Sequence, residues 1–288
     1  MRNNMPICRI CDSNEECKEI FPHPEMFRCC QCGTVQTIAL PSLEQLRNFY
    51  NSCYLDNYTG GMTTERFNLE MPKRHAAKLV LIKRRAGVGS LLDIGCAEGF
   101  FLQQAVSEGF EAVGCDYALK SEYRQGVYVK EGSLDLLNGL PFEDEKFDIV
   151  TCWAVIEHVR QPKVALQEII RVLHRGGHLF LDTPLCGDLS EKLVAARSHW
   201  LHPPEHLHVF TAKSLRLLLE KSGFEIIHHS FFYERNRIRW LARRLRNISI
   251  GIILGGSLKL IYPSKWKAER SSKVTQIGDI QMVVARKP

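Results

Sequence analysis

Three groups of residues in this chain have types and spacings suited to chemistry. Cys8-x-x-Cys11 is followed, after seventeen residues, by Cys29-x-x-Cys32 and Gly33. Two tight turns bearing thiols at that separation can aim four thiolates at one tetrahedral zinc ion. Such an ion keeps no open position, so its expected role is folding or docking. Glu157 and His158 are adjacent, and His158 is the candidate general base because an imidazole titrates near the working pH range. A loop with His199, Trp200, His202, His206 and His208 follows further on. There His206 is the candidate to orient or deprotonate an acceptor, and Glu157, His158 and His208 form a further candidate metal set. Each histidine can equally serve by fixing its loop through hydrogen bonds.

These groups need elements to carry them. Ser90 to Ile94 reads as a short buried strand, and the apolar spacing after Gly99 reads as a helix. The intervening Gly95, Ala97 and Gly99 let backbone approach a ligand closely, and the helix start offers free N–H groups to an anion. About twenty residues on, the strand-like Ala112 to Cys115 ends in Asp116, where nucleotide folds carry the acid that accepts from ribose hydroxyls. The spacing Gly-x-Ala-x-Gly, with Asp93 inside the strand, departs from the Gly-x-Gly-x-x-Gly of dinucleotide sites.

That stretch resembles motif I of the class I S-adenosylmethionine-dependent methyltransferases. The resemblance continues in order from about 90 to 184, through Gly132-Ser133-Leu134 and Phe147 to Val159. It implies that Asp93, Gly95, Ala97, Gly99, Asp116 and Tyr117 bind S-adenosylmethionine. Where many relatives carry an acid toward the adenine, this chain has Ser133, which leaves the backbone N–H of Leu134 as the expected partner. Small-RNA terminal methyltransferases and quinone-biosynthesis O-methyltransferases carry a Glu-x-x-Glu-His segment that helps bind a divalent ion. Here Ala154 stands at its first acid, so one ligand of that set is missing. The Pro-x-His-Leu-x-x-Phe-Thr stretch at 204–211 resembles a segment of methyltransferases from bacterial saccharide and lipid pathways. Phe27 to Gly33 resembles the second knuckle of many zinc ribbons, which assigns Cys8, Cys11, Cys29 and Cys32 as the ligands although Cys17 and Cys30 lie nearby.

The expected fold class is therefore α/β: a seven-stranded, Rossmann-like methyltransferase sheet, mostly parallel with an antiparallel edge hairpin, plus a small N-terminal zinc ribbon. Strands are expected near 91–95, 111–116, 127–131, 147–153, 178–183, 224–232 and 280–286. Helices are expected at 99–108, 162–174 (glycine-capped at 176–177) and 212–222. The domains read as 1–40, the ribbon; 41–86, a helical linker or lid capped by Ser42 and starting again at Pro72, with Tyr54 and Tyr58 as cofactor contacts; and 87–288, the methyltransferase region, with a basic amphipathic insertion at about 234–276.

The composition is that of an ordinary globular protein, 45% hydrophobic and 24% charged. Eleven cysteines, an odd number, suit a reducing cytoplasm better than a disulfide framework. No signal peptide or membrane-length apolar run is read. The net charge of +6 is uneven: from Arg235 onward thirteen Lys and Arg face two acids, a balance of +11 that leaves −5 for the rest. The expected acceptor is a small molecule, with the hydroxyl of a saccharide or lipid-linked precursor favoured. The basic segment points to peripheral membrane contact, and nucleic acid is the lesser alternative. A non-catalytic binding module is the third reading, and the sequence sets no oligomeric state.

Overall fold

The computed structural model describes residues 7–14, 18–20, 23–58, 64–117, 126–135, 139–186, 205–232 and 280–288, without the side chains of 18–20, 23–24, 51–58 and 64–70. Its first part runs β1 (Lys18–Ile20), β2 (His23–Arg28), β3 (Val35–Thr37), α1 (Leu43–Tyr58) and α2 (Thr64–Ala86). An alternating series follows: β4 (Ser90–Ile94), α3 (Phe100–Ser107), β5 (Glu111–Asp116), β6 (Val129–Glu131), β7 (Phe147–Trp153), α4 (Pro162–Val172) and β8 (Leu173–Pro184). The remainder is β9 (His208–Val209), α5 (Ala212–Lys221), β10 (Glu225–Phe232) and β11 (Ile280–Arg286).

Seven strands form one sheet in the order β10-β11-β8-β7-β4-β5-β6. The five from β8 to β6 are parallel, and β11 runs antiparallel to both β8 and β10. This is the expected class, edge hairpin included. Successive residues of a strand point to opposite faces, and here both faces are covered. Leu92 and Ile94 join Val150, Cys152 and Leu181 under α4 and α5. Leu91 joins Ile149, Phe180 and Val284 under α2 and α3. Strands buried on both faces read as nearly unbroken apolar runs, which is why they are legible in the sequence.

The chain passes from β4 to β5 on one side and returns to β7 on the other, so the strand order switches direction beside β4. Ligands bind beyond the carboxyl ends of parallel strands at such a point. The Gly95–Gly99 turn, Asp116 and the residues after Trp153 all leave strands at that edge.

The remaining strands make a second sheet, β1-β2-β3-β9, in which three strands of the cysteine-bearing segment are completed by one from beyond β8. Two local expectations are corrected. α2 starts at Thr64 and runs through Pro72, so the proline removes one backbone bond without ending the helix, and Leu79 and Ile82 beyond it are buried against α3 and the sheet. α4 ends at Val172 with an extended Leu173, without a glycine cap. Leu173 is fully buried and pairs with Phe147, so the strand begins before Gly176. The side chains of Tyr54 and Tyr58, the histidines at 199 and 202, and the basic segment 234–276 lie outside the described residues.

Candidate functional site

The turn after β4 depends on left-handed backbone at Gly95 (φ 73°), Ala97 (φ 49°) and Gly99 (φ 81°). A side chain at Gly95 would put its Cβ 2.4 Å from Val155 Cγ2. The motif I turn therefore rests directly on the loop that carries Glu157 and His158. Ala97 N donates to Asp116 Oδ2 at 2.8 Å, which locks turn and acid together. Asp93 is almost fully buried and accepts from Thr151 Oγ1 at 2.6 Å. Burial pushes its carboxyl up to about 7, and what it does here is tie β4 to β7 beneath the turn. Leu134 is buried just past β6, at the same edge.

Tyr117 donates its hydroxyl to the Leu43 carbonyl at 3.0 Å, with Arg47 over its ring. This brings α1 across the sheet edge. Tyr50 of α1 lies edge-on to Tyr117, 6.2 Å away, and to His158, 6.3 Å away. Burial and the nearby acids Glu205, Glu157, Asp135 and Asp116 hold its phenol well above the usual range. Tyr50 thus stands between the two halves of the site, a role that helical periodicity alone does not reveal.

The second half is built at the end of β7. Glu157 is fully buried. Its Oε2 accepts from Thr183 Oγ1 at 2.9 Å, while Oε1 has no hydrogen-bond partner among the described residues. Burial raises this carboxyl to about 8. His158 Nδ1 is 2.8 Å from the Glu205 carbonyl, and a carbonyl only accepts, so Nδ1 carries the proton and Nε2 keeps a bare lone pair. Burial, then the neighbouring His206, lowers His158 to about 3. The imidazole is neutral, with its free nitrogen 4.0 Å from Glu157 Oε1.

His206 completes this cluster, its ring 4.8 Å from that of His158. Donor atoms of Glu157, His158 and His206 all lie within 4.8 Å of one another. The expected set with His208 is corrected on this point. His208 opens β9 and is committed to the pairing with Gln36 of β3, and its ring is not among the donors that meet Glu157 and His158. His208 is instead buried near Arg9, Val159 and Arg160, and depressed to about 3 by burial and by Arg9.

The four expected cysteines come together, their sulfurs within 4.8 Å of one another. Cys8 and Cys32 Sγ are 3.7 Å apart, and Cys11 and Cys29 Sγ 3.5 Å. Zinc–sulfur bonds of about 2.3 Å in a tetrahedron require a sulfur separation of about 3.8 Å, so the set fits zinc. The two turns are alike: Asp12 N donates to Cys8 O and Gly33 N to Cys29 O, both at 2.9 Å. Each turn ends on left-handed backbone, φ 66° at Asp12 and 78° at Gly33. Cys30 is exposed and is not among the sulfurs that converge, and Cys17 lies outside the described residues. Without an ion, hydrogen bonding from Cys32 lowers Cys8 to about 4, while Cys11 is pushed up to about 11 by burial and its neighbouring sulfurs. Four thiolates coexist there only around a cation.

A family described as "Methyltransferase domain" matches residues 67–229, which spans both halves of this site. The chain belongs to that methyltransferase family. Its class I members use S-adenosylmethionine, as the order of motifs implied. A tRNA U34 carboxymethyltransferase of a Sulfurovum species is 28% identical over 145 residues, 47% of each chain. A ubiquinone biosynthesis O-methyltransferase of Pectobacterium atrosepticum is 30% identical over 108 residues, 32% of this chain and 42% of its own. The chain thus spans about half the length of such curated relatives. A solved Burkholderia thailandensis 1,6-didemethyltoxoflavin-N1-methyltransferase with bound S-adenosylhomocysteine superposes with a TM-score of 0.55 at 12% identity, covering 90% of this chain and 96% of that one. This likeness shows the fold.

In this methyltransferase a further polar group lies on the α2 side of the turn. Lys78 Nζ pairs with Asp182 Oδ2 at 2.9 Å and sits 3.8 Å over the Trp153 ring. Asp182 Oδ1 accepts from Ala154 N at 2.9 Å, holding that residue at φ 51°. Buried Trp153 Nε1 and Glu98 Oε2 have no hydrogen-bond partner among the described residues. Sequence reasoning misses Lys78 because one lysine in a basic helix carries no local signal. It misses Glu98 because the legible part of the motif is its glycines.

Proposed function

We propose that this methyltransferase moves the methyl group of S-adenosylmethionine to a hydroxyl oxygen of an acceptor held against Glu157, His158 and His206. The observation that carries the reading is the convergence of an unpartnered buried carboxylate oxygen, a bare imidazole nitrogen and a second histidine at the carboxyl edge. When bound, the cofactor supplies an electrophilic methyl group on a sulfonium. In this reading Asp116 accepts from the ribose, the Leu134 N–H meets the adenine, and Gly95, Ala97 and Gly99 let backbone close on the ligand, with Asp93 supporting them and Tyr117 bordering the site. Lys78 and Trp153 Nε1 suit the amino-acid carboxylate, and Glu98 its ammonium group.

Glu157, His158 and His206 would hold a divalent cation, whose chemistry is to lower the pKa of a bound hydroxyl. With no cation, His206 orients the hydroxyl and the bare His158 Nε2 accepts its hydrogen bond; held near 3 rather than in the range of a free imidazole, His158 takes the proton only as the new C–O bond forms and makes that hydroxyl acidic. The name of the ubiquinone-pathway relatives supports O-methylation of a small molecule. A saccharide or lipid-linked acceptor, cytoplasmic location and peripheral membrane contact rest on the sequence and on segment 234–276. No helix among the described residues is long and apolar enough to cross a membrane. The division at 40/41 and 86/87, with zinc held by the four cysteines, belongs to the same proposal.

The test is transfer of labelled methyl from S-adenosylmethionine into fractionated small-molecule extract, with chelator and with added Mg²⁺ or Mn²⁺. His158→Ala and His206→Ala should lower transfer by about 10²–10⁴-fold with cofactor affinity unchanged. Undiminished transfer in both variants would sink the assignment. The tRNA-modifying relatives favour one second reading, an RNA acceptor. Label appearing in RNA, with binding that steepens as salt falls, would establish it.

A further inference from the structure

The cysteine cluster has no open coordination position for chemistry, yet it is joined to the acceptor site more closely than a docking module needs to be. β3 pairs with β9 in the register Val35 with Val209 and Gln36 with His208. Thr37 N donates to the Leu207 carbonyl at 3.0 Å. On the other side of that segment, Leu207 N and His208 N both donate to the Glu157 carbonyl, at 2.9 and 3.1 Å. The backbone flanking His206 is thus held between Glu157 and the ribbon strand. The second cysteine turn is tied down as well: Thr211 Oγ1 donates to the Cys32 carbonyl and Lys213 Nζ to the Gln31 carbonyl, both at 2.8 Å.

Gln36 is where the two systems meet. It is fully buried. Its Nε2 donates to Cys8 Sγ at 3.1 Å, and its Oε1 accepts from Arg9 N at 3.1 Å. Arg9 Nη2 in turn donates to the Thr37 and Ile38 carbonyls at 2.7 and 3.2 Å. One side chain therefore bonds a metal-ligating sulfur while its backbone pairs two residues from His206. A donor directed at a charged thiolate is a strong bond, and a partner of this kind behind a metal ligand orients what lies beyond it.

We infer that the four-cysteine centre is part of the acceptor site: its metal occupancy holds β3, and β3, through β9, holds His206 against Glu157 and His158, with Gln36 as the positioning residue. The functional meaning rests on the acceptor reading above. The coupling itself does not, because it is measured on backbone amides.

The experiment is hydrogen exchange on the full chain, zinc-loaded and after chelation, with calorimetric titration of S-adenosylmethionine and a zinc count in parallel. One zinc per chain is expected. Its removal should speed exchange at Leu207 and His208 by about tenfold or more while the amides of β4 hold. Cofactor affinity should stay within about twofold, since Asp116 and the motif I turn hang on the parallel sheet. Re-added zinc should restore protection. Cysteine replacements can unfold the segment, so the second variant is Gln36→Leu, which keeps all four ligands. It should retain one zinc yet show the fast exchange at 207–208. A chain that binds no zinc, exchange at 207–208 indifferent to zinc, or wild-type exchange in Gln36→Leu would each overturn the inference. If the coupling holds but His206→Ala still transfers methyl normally, the acceptor reading fails and the coupling stands.

Discussion

Gly95→Ala isolates the contact between the cofactor turn and the acceptor loop. Two costs add. A non-glycine residue at φ 73° loses about 1–2 kcal/mol relative to right-handed backbone. The new Cβ would also lie 2.4 Å from Val155 Cγ2, and forced overpacking of that kind costs about 1–3 kcal/mol. The sum is about 2–5 kcal/mol, a melting shift of about 2–4 °C per kcal/mol for a domain of this size. Gly87→Ala supplies the control, because Gly87 has φ 80° and a Cβ placed there would meet nothing within 4 Å; it should show the backbone cost alone. Val155→Ala in the Gly95→Ala background should recover the steric part, and the double-mutant cycle reads it directly. Thermal melts and calorimetric binding of S-adenosylmethionine are the assays. If Gly95→Ala melts no lower than Gly87→Ala, or if Val155→Ala gives no recovery, turn and loop are not in contact and the argument for a single site fails.

Other outcomes are equally open to measurement. Glu157 is raised to about 8 in the fold against about 4.3 unfolded. Its protonated form therefore contributes stability present at low pH and lost as pH rises from about 4.3 through 8. The melting temperature of Glu157→Gln minus that of the wild type, without cofactor or metal, should grow between pH 5 and about 8.5; a flat difference would refute a protonated Glu157. Asp116→Ala should weaken cofactor binding by about tenfold or more, since it removes a carboxylate that also accepts from Ala97 N; unchanged affinity in a folded variant would show that the ribose lies elsewhere. Thr183→Val strips Glu157 of the hydroxyl that donates to it and should lower the melting point by the equivalent of about 1–3 kcal/mol. That loss should be absent in a Glu157→Leu background.

The fold is readable from sequence because its signals are local. The central strands β4, β7 and the second half of β8 announce themselves as buried apolar runs, and the turn at 95–99 by glycines at left-handed positions. The limits of α4 are misread because glycines at 176 and 177 imitate a helix cap, whereas burial of Leu173 in the sheet decides where the helix stops. Cutting α2 short at Pro72 has a simpler cause: the proline reads as a local start signal, although the helix runs through it from Thr64.

The sequence alone determined the order of the motifs, the acid at 116 and the pairing of Cys8 and Cys11 with Cys29 and Cys32. Each is a matter of residue type and linear spacing, which the chain carries without its fold. Tertiary structure decided that His206 rather than His208 meets Glu157 and His158. It also brought Tyr50 and Lys78 to the carboxyl edge and completed the sheet of the cysteine-bearing segment with a strand from beyond β8. Those contacts join residues far apart in the chain, as in the 47 positions between His158 and Glu205. No periodicity or turn signal specifies which distant partners share an edge, because that follows only when the sheet is laid down and its two faces are covered.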